Sequence, residues 1–125
     1  MADEFPGNLK YNKDNSWVRL EGDTATVGVV SKAADNAQEF AFIKLPEKGK
    51  KIKQGDTYVS LEAVKWSGHL SSPVTGEVIE VNDPLFDDPS KINNDPYGEW
   101  IMKVRMDDPR EADDLMDAEE AKKEY

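Results

Sequence analysis

The chain contains no cysteine. That excludes disulfides, thiolate nucleophiles and iron–sulfur clusters held by its own residues, so any redox chemistry must come from an attached group. Histidine is almost as scarce. His69 is the single one in 125 residues, and a histidine-based metal site has at most that one imidazole. Cations are in deficit, with Lys and Arg numbering 16 against 26 Asp and Glu, a formal net charge of −10. This balance opposes nucleic acid and anionic membrane surfaces, and it favours solubility and a positively lined docking partner. No apolar run is long enough to span a bilayer. Met1-Ala2-Asp3-Glu4-Phe5-Pro6 is acidic and lacks the basic and apolar regions of a signal peptide, which predicts a cytoplasmic protein. Phosphate loops and calcium loops are missing as well. A hydrolytic triad would have to be assembled on His69 with Ser71 or Ser72, and no nucleophile-elbow motif supports it. Asp87-Asp88 and Asp107-Asp108 read as solvated turn and capping residues.

What is present is a series of short strand signals separated by turns. A length of 125 residues suits one domain, 1–125, with a compact core. Residues 1–8 read as an N-terminal arm. Ser16–Leu20 and Thr24–Val29 read as a hairpin turning at Glu21-Gly22-Asp23. Ser31–Glu39 is alanine-rich and reads as a short helix capped by Ser31. Phe40–Leu45 is a strand ended by Pro46, followed by a basic stretch, Lys48-Gly49-Lys50-Lys51-Ile52-Lys53. Pro84, Pro89 and Pro96 prevent a long helix between Asn82 and Pro96. Trp100–Met106 is the last strand. Asp108-Pro109-Arg110-Glu111 then opens a C-terminal helix over 108–125, with Asp108 as cap, Glu111 completing a capping box, and Ala112, Leu115 and Met116 as its docking stripe. The pattern predicts a mainly β sandwich or flattened barrel with helices at its margins.

One stretch stands out. Tyr58, Val59, Leu61 and Val64 make a strand running up to Lys65. The small residues Ser67 and Gly68 suit a turn, and a second extended segment follows through Leu70 to Pro73. Lys65 is therefore expected at or beside a hairpin tip, where a flexible stem and a nucleophilic amine can carry a covalent arm. Gly76 is expected to adopt a backbone conformation that side chains resist. Trp66, unusual beside an exposed tip, is either packed against the neighbouring strand or a contact for the arm or its partner.

Glu62-Ala63-Val64-Lys65 followed by Ser72-Pro73-Val74-Thr75-Gly76-Glu77-Val78 resembles the lipoylation region of the glycine-cleavage H-protein family. Leu9-Lys10-Tyr11, Trp17-Val18, Ala25–Val29, Leu45-Pro46, Gly55-Asp56, Asn93–Gly98 and Trp100 extend the resemblance in order along most of the chain. It implies a barrel–sandwich hybrid fold and a non-catalytic carrier with lipoate in amide linkage to Lys65. Glu62, Val64, Trp66 and Gly76 are implied as supporting residues. Biotin carriers usually flank their lysine with methionines, and Val64 and Trp66 here disfavour biotin. Implied partners are a lipoate-protein ligase or lipoyl transferase, dihydrolipoamide dehydrogenase and the enzymes of one pathway. Several positions depart from the family's usual residues. Asn15-Ser16 replace His-Glu, Trp66 replaces a small residue, His69 an acidic one, and Gln38-Glu39 a Gly-Asp pair. Pro96-Tyr97-Gly98-Glu99-Trp100 is one residue short. These departures favour a divergent lipoate-binding protein of sulfur oxidation, working with heterodisulfide-reductase-like enzymes, over a carrier between glycine decarboxylase and aminomethyltransferase. An arm-free interaction module is the third reading.

Overall fold

Alternation of apolar and polar side chains turns most of the chain into strands, because one face of each can then be buried. The computed structural model describes residues 5–125, and residues 1–4 of the expected arm lie outside the described residues. In chain order the elements are β1 (Lys10–Tyr11), β2 (Ser16–Glu21), β3 (Thr24–Val29), α1 (Ser31–Ala37), β4 (Phe40–Lys44), β5 (Lys51–Ile52), β6 (Thr57–Ala63), β7 (Trp66–Ser71), β8 (Gly76–Val81), α2 (Pro84–Asp87), α3 (Lys91–Asn94) and β9 (Met102–Met106). A 3₁₀ segment, Pro109–Asp114, and α4 (Ala118–Glu124) complete the chain. Six strands form one sheet in the order β1-β2-β3-β9-β8-β5, and β4-β6-β7 form a second of three strands. The mainly β sandwich with short marginal helices is as expected.

The two sheets bury a shared core of Val18, Val27, Ile43, Val59, Leu61, Leu70, Val78 and Val104. A second, smaller cluster lies behind the larger sheet. There Phe5, Leu9, Tyr11, Trp17, Met116 and Ala121 are packed together. Phe5 stacks on Tyr125 with ring centroids 5.5 Å apart, so the described part of the N-terminal arm is docked on the last residue. The Tyr125 hydroxyl accepts from the Asn15 backbone N–H at 2.7 Å and donates to the Asn12 carbonyl. Burial pushes its phenol up to about 12, which keeps it neutral and able to do both. The chain terminus thereby fixes the loop Asn12–Asn15.

Two expected helices are altered. The first ends at Ala37, short of Glu39, because Gln38 adopts φ 64° and ψ −158°. Its cap is Val30, without a side-chain bond, and Ser31 lies inside the helix facing the Tyr97 hydroxyl. Asn93 enforces the bend: its amide donates to the Ala34 and Gln38 carbonyls at 3.1 and 2.6 Å and accepts from the Phe40 N–H at 2.9 Å. A glutamine with positive φ is strained, so Gln38→Gly should raise stability by roughly 1 kcal/mol. Equilibrium urea unfolding with an unchanged m-value is the check, and a destabilised variant would contradict the strain.

The expected helix over 108–125 is broken in two. Asp108 does cap, accepting from the Arg110 N–H. Glu111 completes no box there, because its carboxylate accepts from the Thr75 N–H at 2.6 Å and the Thr75 hydroxyl at 2.8 Å. Met116 then exchanges both backbone bonds with Tyr11 at 2.8 Å, which a helix cannot do, and Asp117 restarts α4 with a true capping box to Glu120. Ala112, Leu115 and Met116 are buried as expected.

Candidate functional site

The site is the β6–β7 hairpin. Its register runs from Thr57 opposite Ser71 to Ala63 opposite Trp66, leaving Val64-Lys65 as a two-residue turn. Lys65 therefore sits on the tip itself. The turn does not fall at Ser67-Gly68: those residues continue β7, paired with Glu62 and Leu61. Leu61 and Leu70 bury their side chains on the inner face of this hairpin.

The hairpin is anchored at both ends. At its base the Asn12 amide donates to the Ser71 carbonyl at 3.0 Å, and Asp14 accepts from the Ser71 N–H at 2.7 Å. The Thr75 hydroxyl, held by Glu111, accepts from the Gln54 N–H at 2.8 Å. Towards the tip, Trp66 turns inward. Its ring lies 5.9 Å from Phe40, and a Cβ on Gly68 would approach its indole to 2.9 Å. Trp66 thus packs beneath the tip and leaves the space around Lys65 open.

Lys65 is exposed, and Val64 beside it is 92% exposed. Among the described residues no carboxylate pairs with the Lys65 amine. Glu62 is exposed three residues before it. An amine so placed is accessible to a modifying enzyme, and acylating it breaks no ion pair. These features fit a lipoyl amide. Gly76 belongs to the scaffold. Its φ is not positive, contrary to the expected special conformation. A Cβ there would stand 2.0 Å from the Arg105 carbonyl oxygen, so it is close approach of β9 that demands glycine.

Other chemistry finds no support. No cluster of three metal-ligating side chains occurs among the described residues. The triad partners do not assemble: Ser72 is buried with its hydroxyl on the Val74 carbonyl, and His69 instead shares a 2.7 Å bond with Ser60. Counting back from the tip puts Ser60 opposite His69, and misplacing the turn hid that pair from sequence reasoning. Phe42, 49% exposed opposite Glu62, was missed because its strand reads as core. No helix among the described residues is long and apolar enough to cross a membrane.

The family model described as glycine cleavage H-protein matches residues 9–125. The chain belongs to the glycine cleavage H-protein family. Members of this family are non-catalytic carriers with a lipoate on a lysine. The glycine cleavage system H protein of Myxococcus xanthus is 40% identical over 119 residues, covering 94% of this chain and 92% of the relative. That of Thermoanaerobacter sp. is 44% identical over 115 residues, covering 92% and 91%. The crystal structure of a glycine cleavage system H protein from Mycobacterium marinum aligns with TM-score 0.84 at 31% identity, over 93% and 94% of the two chains.

The expected bias towards sulfur oxidation gains nothing from these H-protein relatives, and the structure removes much of its basis. Ser16 is fully buried on the Tyr58 hydroxyl at 2.7 Å, Trp66 packs inward, and Gln38 lies in the bend held by Asn93. These departures are packing solutions inside the H-protein fold.

Proposed function

We propose that this H-family chain carries lipoate on the Lys65 amine and serves glycine cleavage, passing an aminomethyl group from glycine decarboxylase to aminomethyltransferase. The observation that carries the proposal is the position of Lys65, exposed and, among the described residues, without an ion pair, at the tip of a hairpin anchored at both ends. By the resemblance of Glu62–Lys65 and Ser72–Val78 to the family's lipoylation region, Lys65 also stands where the family carries its lipoate. A lipoyl group held there would supply a disulfide that opens as it takes up the aminomethyl group, one sulfur carrying the group and the other becoming a thiol.

The chain's own residues position that group. Lys65 contributes a flexible stem, whose acylation removes its charge. Val64, its neighbour on the tip, is 92% exposed. Trp66 seats the tip on Phe40, and Gly76 lets β8 approach β9 closely enough to hold the hairpin's base. Glu62 presents an exposed carboxylate to a lipoate-protein ligase or lipoyl transferase. Reoxidation by dihydrolipoamide dehydrogenase completes the expected cycle. Co-expression with a lipoate-protein ligase, followed by intact-mass measurement and peptide mapping, tests the assignment. A lipoyl mass on the peptide holding Lys65 is expected, and a lipoyl mass on any other lysine overturns it.

A further inference from the structure

Residues 45–50 carry the chain from β4 to β5, and so from the three-stranded sheet to the six-stranded one. A cleft of about 450 Å³ opens beside this crossing, with the start of β6 on one wall and β5 with Val78 on the other. Its floor is apolar. Val59 and Val78 are each 1% exposed and Ile52 8%, and Leu45 is half-buried beside them.

Its rim is cationic. Lys44, Lys50 and Lys51 line it against two carboxylates, Glu47 and Asp56, in a chain whose overall balance is −10. Lys51 lies 3.6 Å from Asp107, and Asp56 accepts from the Lys53 backbone N–H at 3.1 Å. Lys44 and Lys50 are exposed and have no ion pair among the described residues. The basic stretch noted in the sequence thus brings Lys50 and Lys51 to the cleft, while Lys48 and Lys53 lie outside its lining.

These features select a ligand. An apolar floor in a cleft of this size takes up a short hydrocarbon body. Free ammonium groups at the rim hold an anionic head by charge-assisted hydrogen bonds. A chain of this net charge repels an acidic protein at a distance. A small monoanion inside the cleft lies within a Debye length of the lysines, about 8 Å at physiological salt, and feels mainly them.

We propose that this cleft binds a small amphipathic anion, a medium-chain carboxylate, with its hydrocarbon on Val59, Ile52 and Val78 and its carboxylate between Lys44 and Lys50. The site is separate from the hairpin tip. Thr57, in its lining, stands eight residues before Lys65, about 26 Å along the strand at roughly 3.3 Å per residue. The ligand is therefore a free molecule, and its binding does not depend on what Lys65 carries.

The test titrates full-length, ¹⁵N-labelled protein with sodium nonanoate and follows the backbone amides by NMR. A saturable curve with a Kd on the order of 1 mM is expected for a ligand of this size, with the shifts centred on Lys50–Ile52 and Thr57–Ser60. Inorganic phosphate and nonanol, which present the charge and the hydrocarbon separately, should each bind about tenfold more weakly. Lys44→Glu combined with Lys50→Glu should weaken nonanoate about tenfold at an unchanged melting temperature. Lys48→Glu combined with Lys53→Glu makes the same change of net charge outside the cleft and should leave the affinity within about twofold of the parent. Thr57→Trp, which fills the mouth from an exposed position, should abolish the shifts. Equal losses in the two double variants, phosphate binding as tightly as nonanoate, undiminished binding by Thr57→Trp, or shifts that never saturate would each overturn the site.

Discussion

Gly76→Val should unfold this domain near room temperature or bring it close to unfolding. The new Cβ would stand 2.0 Å from the Arg105 carbonyl oxygen, 2.8 Å from its carbon and 2.9 Å from Val104 Cγ1. Two of those three atoms are backbone, so no rotamer change relieves the clash. β8 would have to leave β9, breaking the pairing of Gly76 with Met106 and of Glu77 with Arg105. Overpacking of even well-tolerated sites costs about 1–3 kcal/mol. A clash with a strand in the middle of a six-stranded sheet should exceed that, at about 4 kcal/mol or more. The melting temperature should drop by 10 °C or more, on the order expected for a chain of this size. Gly7, where a Cβ meets nothing within 4 Å, is the control, and Gly7→Ala should shift stability by less than about 0.5 kcal/mol. An unchanged melting temperature for Gly76→Val would show that β8 and β9 do not approach as described.

Lys65→Arg should do the opposite, removing function and sparing the fold. The side chain is exposed and makes no ion pair among the described residues, so stability should stay within about 0.5 kcal/mol. Arginine keeps the charge but offers no amine that can be deprotonated and acylated. Intact mass after co-expression with a lipoate-protein ligase should show no adduct at all. Carrier activity in glycine cleavage should fall to background. A lipoyl mass on the variant would move the attachment site elsewhere.

The two variants separate what the sequence makes legible from what it hides. Lys65 could be read as an arm site because its neighbours up to Leu61 alternate as a strand, and because Glu62–Lys65 and Ser72–Val78 match a family at fixed spacing. Ser67 and Gly68 are good turn formers locally and draw the expected turn to themselves. In the fold they continue β7 opposite Glu62 and Leu61, and Val64-Lys65 is the tip. Gly76 was singled out for the wrong reason: a sequence shows that a side chain is absent, and only the neighbouring strand shows what fills the space. The C-terminal break at Leu115–Met116 has the same origin. Helix propensity is local, whereas the Met116–Tyr11 bridge joins positions far apart in the chain. Trp66 looked like a specificity determinant because a tip residue is expected to face solvent. Its inward packing on Phe40 depends on the pairing of β4 with β6, which composition does not reveal.

On the proposed function the chain is a working carrier of the glycine cleavage pathway. Lipoylated protein mixed with glycine decarboxylase, its pyridoxal cofactor and glycine should acquire an aminomethyl mass on the peptide containing Lys65. The rate should be comparable to that of the Myxococcus xanthus H protein in the same assay. A chain that is fully lipoylated on Lys65 yet stays unloaded while the Myxococcus protein loads would contradict the account.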